Sequence, residues 1–558
     1  MAKKQHLTAP DPKETGFPKG VPFIIGNELA ERFSFYGMKG ILVIFMTTYL
    51  LGPGGELETM NREEAMTVYH LFTMSAYFFP MIGALIADIF LGKYRTILWL
   101  SLLYCVGHGL LALMDVAPHT MGIGMKPFLF AGLACIAMGS GAIKPCVSAH
   151  VGDQFGTGNK HMLTQIFNWF YFSINIGAAS SMILTPIFLQ ASWGGPWLAF
   201  GLPGVLMAIA TITFWMGRNV FIHVPAAGFD AFVKETFSPD GKRAIFNLIP
   251  LFMIFVPVFW AIFDQTGSSW VLQTEQMNRN FLGHQWLPSQ VQAVNPILIL
   301  VSIPIFTYVL YPLGDKVWKL TPLRKIGIGF VFTAAAFALS AIIETWIVSG
   351  SSAVISAMWA DLGAAAPEGV AMPTKMNDML QIVKEAGWTS DDIAPYLGSM
   401  PNIGWQFLAY IIITAGEILV SIVCLEFAYT QSPKKMKSFV MGIFMLGISL
   451  GNFYVAGVNF IMEKTKDEAG NTPLDGANYY WFFSGLMMAT LLVYIVYTQF
   501  YKGKTFIQGE LITDCPKCGY DITTIKDSLC PECGTDVSSF QEALIAEAKA
   551  QAEGTEVG

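Results

Sequence analysis

Runs of 20 or more mostly apolar residues recur along the chain, separated by short segments that carry most of the charges. A bilayer core of ~30 Å takes roughly 20 apolar residues of α-helix. Backbone that faces lipid must satisfy its own hydrogen bonds, so such runs predict helices. Twelve windows qualify: residues 22–51, 66–91, 95–115, 124–150, 161–189, 195–221, 245–272, 289–315, 325–349, 403–430, 437–462 and 477–502. The pattern predicts an all-α membrane protein of twelve transmembrane helices. Six spans lie in 22–221 and six in 245–502, with a polar linker at 222–244, which predicts two six-helix bundles. Residues 1–21 read as a polar tail. The interruption at 350–402 reads as a long outer spacer with helical patches such as KMNDMLQIVKEAG, and no chemistry is assigned to it.

Composition agrees. Of 558 residues, 53% are hydrophobic and 13% charged, about half the charge of a soluble protein. The first 20 residues are polar, with Lys3, Lys4, Lys13 and Lys19, and have no apolar core of a cleavable signal. Twenty Lys and Arg fall on the side of the N-terminus and seven on the other. The positive-inside bias therefore predicts both termini in the cytoplasm, and a multi-pass protein of the plasma or inner membrane. The net charge of −7 adds little, because the acids are spread over loops and tail.

The charges inside the spans change the picture. NELAERFSFYGMKG, residues 27–40, places Glu28, Glu31, Arg32 and Lys39 in the first helix. At 100° per residue, Glu28, Arg32, Phe35 and Lys39 share a stripe, with Glu31 and Tyr36 at its borders. Four charges facing lipid would cost roughly 10–14 kcal/mol, so the stripe faces protein or an aqueous cavity. Lys144 in span four, His70 in span two, Asp264 in span seven and Glu417 and Glu426 in span ten are further ionisable groups. The in-span cations Arg32, Lys39 and Lys144 belong to the first half, whereas the second half contributes acids. A cavity between the bundles would be basic on one wall and acidic on the other, which suits a zwitterion. Phe35, Tyr36, Tyr77, Trp169, Trp260 and Trp270 are candidate pocket walls. Competing readings stay open: a structural ion-pair network for Glu28, Glu31 and Arg32, neutralisation of a nearby acid by Lys144, a satisfied core histidine at His70, and packing for the aromatics. Glu426 reads as a helix-end residue. GALIADIFLGKYRTI, residues 83–97, offers Gly83 for close helix approach and Asp88, Lys93 and Arg95 as a gating latch, or an ordinary basic loop.

Several motifs together resemble the proton-coupled oligopeptide transporter family of the major facilitator superfamily. ELAERFSFYG (28–37) is similar to its ExxERFxYYG motif, with Phe35 in place of the first tyrosine. GSGAIKPCVSAHVGDQF, NWFYFSINIGA, FWAIFDQTGSSWVLQ and GEILVSIVCLEFAYTQSP resemble its signatures in spans four, five, seven and ten. The resemblance runs from about 20 to 502 and implies import of di- and tripeptides with protons, with no cofactor and no enzymatic activity. It implies proton coupling through Glu28, Glu31, Arg32, His70, Asp264 and Glu417. It implies peptide contacts from Arg32, Tyr36, Lys39, Tyr77, Lys144, Asn175, Trp260, Asn295 and Glu417, with Lys144 paired to Glu417 in one state. Lys39 stands where arginine is usual, and lysine cannot clamp a carboxylate bidentately. Thr266 and Ser269 replace larger polar residues of animal members. A carrier of nitrate or another small solute, and a nutrient receptor signalling through its tail, are the alternatives.

The C-terminal segment lies outside this resemblance. In CPKCGYDITTIKDSLCPECG, Cys515, Cys518, Cys530 and Cys533 form two CxxC pairs, a donor set that fits tetrahedral zinc. A zinc ribbon over 511–537 and an acidic tail over 538–558 are expected. A docking module for a cytoplasmic protein, a regulatory element and a structural knob remain open. Nucleic-acid binding is not expected, since the tail is not basic.

Overall fold

The computed structural model describes residues 15–501 except 157–158, 160–161, 227, 230–232, 234–236, 368–369, 431–436 and 468–469, together with the isolated positions 8, 10, 529 and 531. Cys515, Cys518, Cys530 and Cys533 lie outside the described residues.

Twelve long helices make up the described region. The first, α1, is Val21–Thr48. It is followed by α2 (Arg62–Leu91), α3 (Lys93–Leu113), α4 (Met125–Gly152), α5 (Gln165–Gln190) and α6 (Pro196–Asn219). Then come α7 (Ile245–Thr274), α8 (Pro288–Val317), α9 (Pro322–Leu362), α10 (Gly404–Ala428), α11 (Val440–Lys464) and α12 (Ala477–Phe500). Helices α2 to α12 are long and apolar enough to cross a bilayer. Helix α1 has the length, but Glu28, Glu31, Arg32 and Lys39 dilute its hydropathy.

Packing divides the helices into two sets. In the first, α1 lies against α5 and α6, and α4 against α2 and α3. Its core holds Tyr104, Phe200 and Phe214. In the second, α9 lies against α10 and α12, and α7 against α11, around Phe259, Phe337 and Tyr494. The sets meet where α2 packs on α11 and α5 on α8. Gly83 abuts the backbone of Ala142, so a side chain there would force α2 from α4. Gly92, between α2 and α3, has φ of 74°, a conformation that favours glycine.

Three helices lose regular geometry at acids singled out in the sequence, α2 widening to a π turn over Ala87–Leu91 at Asp88. Helix α7 tightens to a 3-10 turn over Asp264–Gly267 and bends at Ser268, whose φ and ψ are −128° and −87°. Helix α10 widens to a π turn over Ile418–Ile422, directly after Glu417. Such departures re-aim side chains and are frequent at functional sites.

The spacer reading of 350–402 needs correction. Helix α9 runs on to Leu362 because Val354, Ile355, Met358 and Leu362 pack on Met376, Met379, Leu380 and Val383. The last four lie on the helix Met376–Glu385. The segment is a folded cap with its own apolar core. Lys384 of this helix reaches Glu275, just beyond α7, at 2.7 Å and Thr48 of α1 at 3.3 Å. The cap thus touches both helix sets. Among the described residues, hydrogen bonds between the sets run from Met74, halfway along α2, to this cap end.

Candidate functional site

The central polar network begins on α1. Lys39 Nζ lies 3.2 Å from Asp264 Oδ1 on α7, with both side chains 8% exposed. The other Asp264 oxygen accepts from Asn452 Nδ2 of α11 at 2.7 Å. Asn452 Oδ1 faces His70 Nδ1 at 2.8 Å, and His70 Nε2 faces Ser268 Oγ at 2.8 Å. The proton placement follows from these partners. Asn452 Nδ2 points at two acceptors, Asp264 and the Ile448 carbonyl. Its Oδ1 can therefore only accept from His70, which puts a hydrogen on Nδ1. Nε2 is then the position free to gain a proton, with Ser268 turning from donor to acceptor. The network spans α1, α2, α7 and α11 and joins the two helix sets.

A second group lies along α1. Arg32 Nε bonds Glu28 at 2.6 Å, one helical turn away, and lies 3.2 Å from Glu31. All three are buried. Among the described residues, Lys144 of α4 has no hydrogen-bond partner for its ammonium. Its Nζ stands 4.0 Å from the ring centroid of Phe35 and 4.5 Å from that of Tyr77. Each desolvated cation–π contact is worth up to about 2 kcal/mol, so the rings hold the charge without consuming its three donors.

Glu417 lies on α10 in the other set. It accepts from Asn295 Nδ2 of α8 at 2.7 Å, and Asn295 also donates to Thr414 at 3.0 Å. Lys144 and Glu417 are not paired in this structure; each has the neighbours just named. Asn175 turns back to its own helix, donating to the Tyr171 carbonyl at 2.9 Å. Trp260 is buried, and its indole N–H has no partner among the described residues. Tyr36 is half-buried and meets Phe35 edge-on.

Some expectations fail on geometry. Trp270 is fully buried between Phe337 and Tyr410, so it is not a pocket wall, and Trp169 is 55% exposed on α5. Ser269 is buried and turned to Gln265 rather than to a pocket. At the α2–α3 turn, where a gating latch is expected, the ion pair in this structure is carried by Lys93. Lys93 pairs with Asp153 at the end of α4 at 2.7 Å, Asp88 has no ion pair among the described residues, and Arg95 is exposed.

The POT family profile matches residues 94–237, 229–359 and 374–482. The chain belongs to the POT family. "Peptide transporter family 1" of Drosophila melanogaster is 40% identical over 366 residues, covering 59% of this chain and 48% of that protein. Human "Solute carrier family 15 member 1" is 34% identical over 387 residues, covering 60% of this chain and 52% of that protein. The chain spans about half the length of the curated relatives it matches. A crystal structure described as an auto-inhibited POT family peptide transporter superposes with a TM-score of 0.69 at 30% identity, covering 88% of this chain and 99% of that one. The chain is therefore a multi-pass membrane protein of the POT family.

Within this POT member, two residues of the central network are absent from the sequence reading. Asn452 sits in the apolar run ISLGNFYVAG, and Ser268 in DQTGSSW. A buried amide in a membrane span needs partners, which was the available signal. What the sequence could not give was the pairing, since Asn452 and His70 are 382 positions apart.

Proposed function

We propose that the protein is a proton-coupled symporter that imports di- and tripeptides by alternating access. Both termini are cytoplasmic in this reading, and the cap faces outward. The observation that carries it is the ion pair of Lys39 with Asp264, joined through Asn452 to His70. It fastens one helix set to the other with groups that change charge on binding a proton.

A proton that neutralises Asp264 or adds to Nε2 of His70 loosens the tie between the helix sets and favours the form open at the cap end. Either event weakens the hold on Lys39. Glu28 and Glu31 form a second proton-accepting pair around Arg32. The peptide carboxylate is received by Lys144, whose ammonium keeps its donors free over Phe35 and Tyr77, with Arg32 and Lys39 adding positive charge. Its ammonium is received by Glu417. Asn175 and Asn295 hold the peptide backbone, and Tyr36, Tyr77 and Trp260 meet the side chains. Asp88, Lys93 and Arg95 belong to the gate at the other end. Proton release to the cytoplasm restores the Lys39–Asp264 pair. A membrane potential of ~100 mV supplies about 2.3 kcal/mol per charge, more than tenfold accumulation.

The tail is assigned a single zinc held by Cys515, Cys518, Cys530 and Cys533. The donor chemistry supports this, and a cytoplasmic protein is the partner expected for such a module. Reconstituted into liposomes, the full chain is expected to accumulate dialanine when the outside is acid. Accumulation of nitrate instead, or binding without flux, would overturn the assignment.

A further inference from the structure

At the cap end, away from the central network, a cavity of about 560 Å³ lies between the two helix sets. One wall is the start of α2. The others come from α9, the cap and the start of α12. Its charges are unevenly matched. Glu63 is held by Lys466 at 2.6 Å and Asp475 by Lys375 at 2.8 Å. Arg62 lies within 4 Å of no carboxylate among the described residues. Among the described residues its guanidinium makes only long bonds, 3.4 Å to Tyr480 and 3.5 Å to Asn377. Glu344, 4% exposed, accepts from the neutral amide of Gln273 at 2.7 Å; Arg62 attracts it electrostatically but the two make no ion pair within 4 Å. Gln276, 2% exposed, lines the same cavity, and its Nε2 makes no hydrogen bond to any described residue. A buried charge without a counter-charge and a buried donor without an acceptor are each costly. Here the Glu344 carboxylate, with no counter-charge in contact, and the Gln276 amide donor carry that cost around one cavity, beside the half-buried Arg62 guanidinium.

We propose that this cavity is a second binding site, for a small zwitterion of the amino-acid and short-peptide class. The ligand carboxylate lies on Arg62 and its ammonium on Glu344, with Gln276 Nε2 donating to a ligand oxygen. The volume falls in the range of roughly 300–1,000 Å³ usual for small-molecule sites. None of its residues belongs to the central group of Lys144 and Glu417. Because α2 forms one wall and α9 and α12 the others, an occupant holds the helix sets together at the cap end.

The test is equilibrium binding of radiolabelled dialanine to the purified full chain. The wild type is expected to bind two molecules. Glu344→Gln keeps the acceptor for Gln273 and removes the charge; Val348→Trp fills the cavity from its apolar wall. Each is expected to bind one. Dialanine amide, which lacks the carboxylate, should bind at this site at least tenfold more weakly. If the wild type binds a single dialanine and both variants lose it, the cap-end site stands and the central peptide site fails. Binding undiminished in both variants overturns the cap-end site, whatever the outcome of uptake assays.

Discussion

Lys39 of α1 and Asp264 of α7 face each other at 3.2 Å across the two helix sets, each almost fully buried. Breaking a buried pair by removing one partner strands the other charge, at about 3–5 kcal/mol. Lys39→Met and Asp264→Asn should each lower the thermal midpoint of the purified protein substantially. The double variant should recover at least half of the loss. Simple additivity of the two losses would mean that the pair is not coupled.

Asn452 is expected to govern the pH response through both neighbours. Asn452→Leu removes the donor to Asp264 and the acceptor for His70 Nδ1 in one step. Initial uptake rates measured from pH 5 to 8 should then lose most of their acid dependence while the protein remains folded. An unchanged profile would remove Asn452 from proton coupling.

Glu417→Gln retains an oxygen able to accept from Asn295 but cannot ionise. Proton-driven accumulation of dialanine should fall more than tenfold. Exchange of internal for external peptide, which needs no net proton transfer, should persist within about threefold. Undiminished acid-driven uptake in this variant rejects the role given to Glu417.

Lys144→Met keeps an apolar side chain against Phe35 and Tyr77 and deletes the ammonium. A hydrogen bond to a charged group contributes about 1.5–3 kcal/mol, so dialanine affinity should weaken roughly 10- to 100-fold. Titration calorimetry reads this directly. Equal affinity would place the peptide carboxylate elsewhere.

Much of the helix pattern was legible because membrane spans obey one rule, an apolar run long enough to cross. Helix α1 was readable for the opposite reason, since four charges in such a run demand a protein surface to face. The cap was not legible. Its apolar positions, such as Met376, Met379, Leu380 and Val383, form a helix of only three turns, and what stabilises them is the far end of α9. The in-span ionisable residues were found as types, whereas their partners were not. Lys39 was read as a peptide contact and pairs here with Asp264, 225 positions away. Asp88 was read as the latch acid, and Lys93 chose Asp153. Local sequence gives the need for a partner, and only the packing of distant helices says which one meets it.

The four tail cysteines make a separate prediction. Metal analysis of the purified full chain should give one zinc per molecule, and Cys515→Ser with Cys518→Ser should abolish it. Dialanine uptake should be unchanged, since the tail lies outside the residues assigned to transport. A wild type free of zinc would leave the CxxC pairs to another chemistry.

The central claim is that a proton loosens the hold between Lys39 and Asp264 and so lets the cap end open. It is tested most directly by the distance between spin labels at Glu56→Cys and His284→Cys, two exposed positions at that end, in a background without the native cysteines. The distance distribution in liposomes should shift to longer values between pH 8 and pH 5, and Asp264→Asn should show the long population already at pH 8. A distribution that ignores pH in the parent protein, or that is the same in Asp264→Asn as in the parent at pH 8, would contradict the account.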